Sequence, residues 1–211
     1  EESIKKLNCL KNNIVVSEQF SDGNLRDWCR GQDAVINLIG VLHDEPSNSF
    51  QVLHEELPRK ILRNCSVENV TQLIHMSALP ASSKVGPSHY LYSRGRGEDR
   101  VFEAVKDVVV SSIRPSIVFG AHDHFFSSFA KILRWIPVLP LACPNSRFAP
   151  VFVGNVIDSI LVLLSDPKGF NGKRIDLCGP HIYTLRQLIE FIAQAMDRKT
   201  IIVNLPDSLA R

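Results

Sequence analysis

Ala34-Val35-Ile36-Asn37-Leu38-Ile39, Gln72-Leu73-Ile74-His75-Met76-Ser77 and Val108-Val109-Val110-Ser111-Ser112-Ile113 decide the fold of this chain. Each run is short, rich in β-branched residues and apolar at consecutive positions, so the strand it forms needs cover on both faces. Strands of that kind build a parallel sheet clad in helices. Between the first two runs, Phe50, Leu53, Leu57 and Ile61 recur at spacings of three and four, which predicts a helix over about residues 48–64. Pro58 falls inside that pattern and predicts a kink or an early break. A second helix over about 89–105 fills the next interval. The fold class is α/β: a doubly wound parallel sheet with helices on both faces.

Working outward, Ile14-Val15-Val16 is a weaker strand candidate, Asn24 is placed to cap a short helix running through Trp28, and Gly31 stops that helix. Beyond Gly120 the texture changes. Ten of the twelve prolines lie from Pro80 onward, so loops punctuate short elements there. Val151-Phe152-Val153 and Arg174 to Cys178 read as strands and Val156 to Leu164 as a helix. Thr184 caps a helix carrying Leu185, Leu188, Ile189 and Ile192.

Composition narrows the function classes. With 45% hydrophobic and 22% charged residues, the 211-residue chain can bury a sizeable core. Its net charge of +2 is spread without blocks, which excludes the basic stripe that nucleic acid requires. No run approaches the roughly 18 apolar residues of a transmembrane span. Cysteines 9, 29, 65, 143 and 178 are odd in number and contain no Cys-x-x-Cys pair, which argues against a disulfide framework and a structural zinc site. The first glycine is Gly23, and only Gly23, Gly31 and Gly40 precede residue 86, so no glycine-rich phosphate loop stands in the first third.

The spacing with most chemistry in it is Ser77, Tyr90, Arg94. A serine at a strand's carboxyl end polarises a carbonyl, a phenol on the next helix acts as general acid or base, and a cation one turn further on lowers the phenol pKa. The same spacing also describes an ordinary helix-surface pair. Other polar residues read as structural. His75 is a satisfied core histidine, Cys143 and Cys178 are inert packing residues, Tyr92 faces away from Tyr90, and Arg96, Glu98 and Asp99 form a solvated helix face. His122-Asp123-His124 has no third or fourth ligand at a useful spacing, so no metal site is assigned. Phe125 to Leu141 is the most apolar stretch: Phe125, Phe129, Ile132 and Ile136 pack under a lobe, or the stretch is a docking surface.

Several motifs come in one order: Val35-Ile36-Asn37-Leu38-Ile39-Gly40, Leu73 to Leu79, the Tyr90 helix with Gly97-Glu98, Ile113 to Gly120, Arg147-Phe148-Ala149-Pro150-Val151-Phe152-Val153-Gly154-Asn155-Val156, and Cys178-Gly179-Pro180 before Tyr183-Thr184-Leu185. Together they resemble the extended and atypical short-chain dehydrogenase/reductase superfamily, which includes the NAD-dependent epimerases and dehydratases. Within it they look most like the nucleotide-binding accessory subunits of respiratory complex I and their bacterial relatives.

The resemblance implies a Rossmann-type domain for NADP or NAD. Asn37, Leu38, Ile39 and Gly40 then pass under the adenine ribose, Ser77 and Tyr90 take the serine and tyrosine positions, and Pro115, Ser116, Ile117 and Val118 line the nicotinamide. Arg94 stands where the superfamily has lysine; a planar guanidinium is no simple substitute for an ammonium that bridges ribose and phenol. The Gly-x-x-Gly-x-x-Gly unit of the superfamily is not found. On this likeness residues 1–120 are the nucleotide-binding core without its first βαβ unit, and 121–211 are the C-terminal part of the core interleaved with a partial substrate lobe, in one domain.

Two functions follow from the resemblance: a binding module of the complex I accessory type in which the nucleotide is structural, or a reductase, dehydrogenase or epimerase using Tyr90 and Ser77. The implied partners are the dinucleotide and a protein or membrane-surface complex reached through Phe125 to Leu141. The implied location is cytoplasmic and peripheral to the inner membrane, on the matrix side in a eukaryote.

Overall fold

The computed structural model describes residues 20–46, 48–84, 88–103 and 107–205. The strand expected at Ile14 to Val16 lies outside them. A four-stranded, wholly parallel sheet forms from β1 (Ala34–Asn37), β2 (Gln72–Met76), β3 (Val109–Pro115) and a later strand, Arg174–Leu177, in that spatial order. On one face lie α1 (Asp22–Cys29), α2 (Leu57–Val67) and α3 (His89–Phe102), whose Leu25, Leu57, Ile61, Leu62, Cys65 and Val101 form one core with Leu73 and Val110. The other face carries Ile74 and Ile113 and packs on a helix, Val153–Ser165, through Val156 and Leu163. Helices on both faces are what strands apolar on both sides require.

A smaller lobe follows β3. The two-residue strand β4 (Val118–Phe119) leads to α4 (Phe125–Trp135) and β5 (Val138–Leu141), then to β6 (Arg147–Phe148), β7 (Val151–Phe152), α5 (Val153–Ser165), the sheet strand β8 (Arg174–Leu177), β9 (Tyr183–Thr184), α6 (Leu185–Ala195) and β10 (Ile201–Asn204). Parallel pairing of β10 with β5, and packing of α6 on α4, give this lobe its own core of Leu133, Leu139, Leu141, Ile189, Ile192 and Ala193. Thr184 caps α6 as expected, with Gln187 completing a capping box.

Four details differ from the sequence reading. Ser21, not Asn24, caps α1, because its hydroxyl accepts the Asn24 N–H. At Pro58 the expected break is a π-helical stretch, Gln51–Glu56, running into α2, since a proline cannot donate to the carbonyl four residues back, here that of His54. Cys143 and Cys178 are exposed; the buried pair is Cys29 and Cys65, with sulfurs 4.0 Å apart and both thiol pKa values raised by burial. Glu98 is not on a solvated face but is among the most buried side chains in the molecule.

Candidate functional site

Residues paired across a parallel sheet point to the same side. The register places Asn37, His75, Ser112 and Arg174 in one row across all four strands, one step toward the carboxyl edge from the apolar row of Val35, Leu73 and Val110. A polar layer therefore lies between the sheet and α3. Two α3 side chains one turn apart, Arg94 and Glu98, organise it.

Glu98 serves the half away from β1. Its carboxylate accepts from Ser112 Oγ at 2.5 Å, from Arg114 Nε at 2.8 Å and from Arg174 Nε at 3.0 Å, and Arg114 adds a second bond through Nη2. Arg174 also reaches Asp99 at 2.9 Å. Buried carboxylates persist only when paired and hydrogen-bonded in this way.

Arg94 serves the half where β1 and β2 end. It is 7% exposed, and its Nη1 donates to the carbonyls of Ile39 at 3.1 Å and Met76 at 3.3 Å. Its Nε donates a long 3.4 Å bond to the Tyr90 hydroxyl. Nη2 lies against Gly40: a Cβ built there would sit 2.0 Å from it. Glycine at position 40 thus makes room for the guanidinium. Among the described residues no carboxylate pairs with Arg94.

Tyr90 is half-buried, with its ring edge-on to Phe50 and His54. His54 was not singled out in the sequence, although it falls on the Phe50, Leu57, Ile61 stripe. Its Nε2 accepts the Val41 N–H at 3.1 Å, so Nδ1 carries the proton and donates to Ser93 Oγ at 2.8 Å, which donates on to the Tyr90 carbonyl at 2.9 Å. This relay ties the loop after β1 to the first turn of α3. Close approach of α3 depends on glycine: a Cβ on Gly97 would stand 1.7 Å from the His54 carbonyl oxygen, and one on Gly95 would stand 2.3 Å from the Ser82 backbone.

His75 departs from the satisfied core histidine expected of it. Asn37 Nδ2 donates to its Nδ1 at 3.1 Å, while Asn37 Oδ1 accepts the Ile39 N–H at 3.1 Å; His75 Nε2 is buried without a partner. Burial, then the charge of Arg94, pulls the His75 pKa down to about 3 and the His54 pKa down to about 4. Both rings are neutral around a fixed cation.

The remaining sequence candidates fall as follows. Ser77 follows β2 directly and is buried, and its hydroxyl has no partner. Leu38 and Gly40 are exposed beyond the end of β1, beside half-buried Ile39 and buried Asn37. Pro115 ends β3 in the interior. The Ser116 hydroxyl accepts the Ala149 N–H at 3.1 Å, the Ile117 carbonyl accepts the Val151 N–H, and Val118 pairs with Val151 and packs on the core, so this segment also couples sheet to lobe. Tyr92 does face away, accepting from Arg96. Asp123 caps α4 by accepting the Phe126 N–H at 2.6 Å. Arg94 thus joins Tyr90 to the ends of β1 and β2, at the edge where open α/β sheets hold ligands.

No family model matches the chain. It is 31% identical over 185 residues to a mouse protein named NADH dehydrogenase (ubiquinone) 1 alpha subcomplex subunit 9, mitochondrial, covering 87% of this chain and 48% of the relative. The corresponding Arabidopsis thaliana protein is 26% identical over 181 residues, covering 85% and 44%. The chain spans about half the length of the curated relatives it matches. Among solved structures, a dTDP-glucose 4,6-dehydratase of Streptomyces venezuelae with NAD bound superposes with a TM-score of 0.72 at 18% identity, over 88% of this chain and 65% of that one. RMD of Pseudomonas aeruginosa complexed with NADPH gives 0.68 at 20% identity, over 87% and 72%. The chain thus has the Rossmann-type fold seen in NAD-dependent dehydratases and epimerases, and its sequence relatives are subunits of mitochondrial NADH dehydrogenase.

Proposed function

We propose that this chain is part of an NAD(P)-binding protein of the complex I accessory type, in which NADP(H) or NAD(H) is held as a structural ligand at the carboxyl edge of the sheet. Arg94 is the observation that carries the reading: a buried guanidinium, paired with no carboxylate among the described residues, at the ends of two strands. An unneutralised cation there favours an anionic ligand. Its Nη1 and Nε are already committed to Ile39, Met76 and Tyr90, which suits holding a ligand better than shuttling a proton.

The residues fit such a ligand. Ser77 offers a buried hydroxyl with no protein partner, and Leu38 and Gly40 are exposed at the end of the neighbouring strand. In this proposal Asn37, Leu38, Ile39 and Gly40 run under the adenine ribose, and Ser77, Tyr90 and Pro115 to Val118 border the nicotinamide, which when bound supplies a hydride donor or acceptor. Residues 1–120 act as the nucleotide-binding core, and 121–211 complete that core around a partial substrate lobe. The names of the relatives, subunits of a mitochondrial NADH dehydrogenase, support a place in a respiratory complex; in this proposal that place is on the matrix side of the inner membrane. Among the described residues no helix is long and apolar enough to cross a membrane.

The unpartnered Ser77 hydroxyl and the Tyr90 phenol favour a second reading, a reductase, dehydrogenase or epimerase in which serine polarises a carbonyl and tyrosine moves the proton. The full-length protein separates the two. Purified protein is expected to release NADPH or NADH on denaturation and to turn over none of a panel of carbonyl and sugar-nucleotide substrates. Turnover that disappears in Tyr90→Phe establishes the enzyme instead, and protein that carries no nucleotide and shows no thermal shift with either cofactor removes both readings.

A further inference from the structure

The loop that leaves β1 and the helix that carries Tyr90 meet at one buried side chain, His54, which is 1% exposed. Its ring offers one acceptor and one donor, and both are used on the candidate site rather than on its own helix. On one side Nε2 takes the N–H of Val41, directly after Gly40. On the other, Nδ1–H reaches Ser93 Oγ, which is buried on α3 and donates to the Tyr90 carbonyl. The ring also stacks on Phe50, with centroids 4.9 Å apart, and stands edge-on to Tyr90 at 5.7 Å.

Three features set His54 apart from a packing residue. It lies in the π-helical stretch Gln51–Glu56, and such stretches are frequent at functional sites. The loop it holds is closed a second time, by Asp44 Oδ1 accepting the Phe50 N–H at 2.7 Å, so the chain from 41 to 50 is pinned at both ends. The tautomer is fixed as well. Accepting a backbone N–H at Nε2 leaves the proton on Nδ1, and a charged ring, a donor at both nitrogens, would set N–H against N–H. Burial, then the charge of Arg94, keeps the ring neutral against the opposing pull of Asp44.

We propose that His54 is the positioning residue of the carboxyl-edge site: through Val41 and Ser93 it holds the loop at 38–41 and the Tyr90 turn in one fixed relation, so that both meet a ligand together. A ligand that spans from loop to phenol then finds groups already ordered, and binding does not have to order them. The effect on nucleotide affinity rests on the nucleotide reading; the effect on the loop does not. Side-chain chemistry separates positioning from packing. Phenylalanine keeps a ring to stack on Phe50 and removes both hydrogen bonds, whereas glutamine loses the ring and keeps an acceptor and a donor. A ring that only packs would tolerate His54→Phe and suffer from His54→Gln; a positioning ring reverses that order.

Hydrogen exchange of the full-length protein without nucleotide reads the positioning itself. His54→Phe is expected to speed exchange of the Val41 amide about tenfold while β2 and β3 keep their protection, and His54→Gln to return it to within about threefold. Nitrogen NMR of the unsubstituted protein is expected to show the His54 ring as the Nδ1–H tautomer at neutral pH. After removal of any bound nucleotide, affinity for NADPH or NADH is expected to fall about tenfold in His54→Phe and about threefold in Ser93→Ala, and to recover in His54→Gln. Should His54→Phe not fold, the tautomer and Ser93→Ala carry the test. Protein that binds no nucleotide, yet whose loop exchange follows His54 in this order, removes the nucleotide reading and supports the positioning role. An Nε2–H ring, loop exchange alike in all the variants, His54→Gln worse than His54→Phe, or nucleotide bound with unmoved affinity overturns the proposal.

Discussion

Arg94 and Glu98 sit one turn apart on α3, both buried against the same sheet, and they differ in how their charge is met. Glu98 is enclosed by two guanidiniums and a hydroxyl. Arg94 meets carbonyl and phenol oxygens, with two neutral histidines close enough to feel its charge. The Glu98 half of the layer is satisfied and holds the fold together. The Arg94 half keeps net positive charge and the unpartnered atoms Ser77 Oγ and His75 Nε2, at the edge where ligands enter. Ser111 Oγ, on the opposite face of the sheet, is also buried without a partner, so what sets the Arg94 half apart is the unneutralised charge beside such atoms.

Substitutions that break this contrast are expected to differ in size. Glu98→Ala leaves Arg114 and Arg174 facing each other without their shared carboxylate, and is expected to cost about 3–5 kcal/mol in denaturant unfolding. A loss under about 1 kcal/mol would place Glu98 with ordinary surface ion pairs. Gly97→Ala drives a methyl into the His54 carbonyl and is expected to cost about 1–3 kcal/mol and to weaken nucleotide binding by displacing Tyr90.

The histidines sharpen the contrast through pH. Their folded pKa values, about 4 for His54 and about 3 for His75, lie below the ordinary value of 6.5. Between those limits the unfolded chain binds more protons than the folded one, so stability falls as pH drops below about 6.5, with a slope up to about 1.4 kcal/mol per pH unit for each ring. Urea melts at several pH values check this, and His75→Gln is expected to flatten the slope while leaving stability at neutral pH less affected than in Glu98→Ala. Smallest of all, Ser77→Ala is expected to change stability by under about 1 kcal/mol, because the hydroxyl has no partner to lose, yet to weaken the nucleotide response.

Much of this was legible in the sequence where a single element carries the signal. Three apolar runs gave the central strands, and the four-residue step from Tyr90 to Arg94 put phenol and guanidinium together. What escaped notice depends on elements far apart in the chain. Glu98 lies on the face shared by Tyr90 and Arg94, but its burial follows from Arg114 and Arg174 arriving on two other strands. His54 lies on a legible helical stripe, yet its hydrogen bonds are made to Val41 and Ser93. The half-satisfied state of His75 arises from register with Asn37, which periodicity does not specify. Ile132 and Ile136 read as core because they continue the helical spacing of Phe125 and Phe129; only the packing of α6 on one side decides that Leu133 is buried and they are not.

The central claim is that the unneutralised Arg94 makes this edge a dinucleotide site. Its most direct test is the melting temperature of the full-length protein and of Arg94→Met, each first freed of bound nucleotide and then measured with and without NADPH or NADH at about a hundredfold excess over the dissociation constant, where a ligand of the native state adds about 2.7 kcal/mol. The account predicts a rise in the unsubstituted protein and little or none in Arg94→Met, which keeps the side chain's bulk and loses its charge. No rise in the unsubstituted protein, or an equal rise in both, would contradict it.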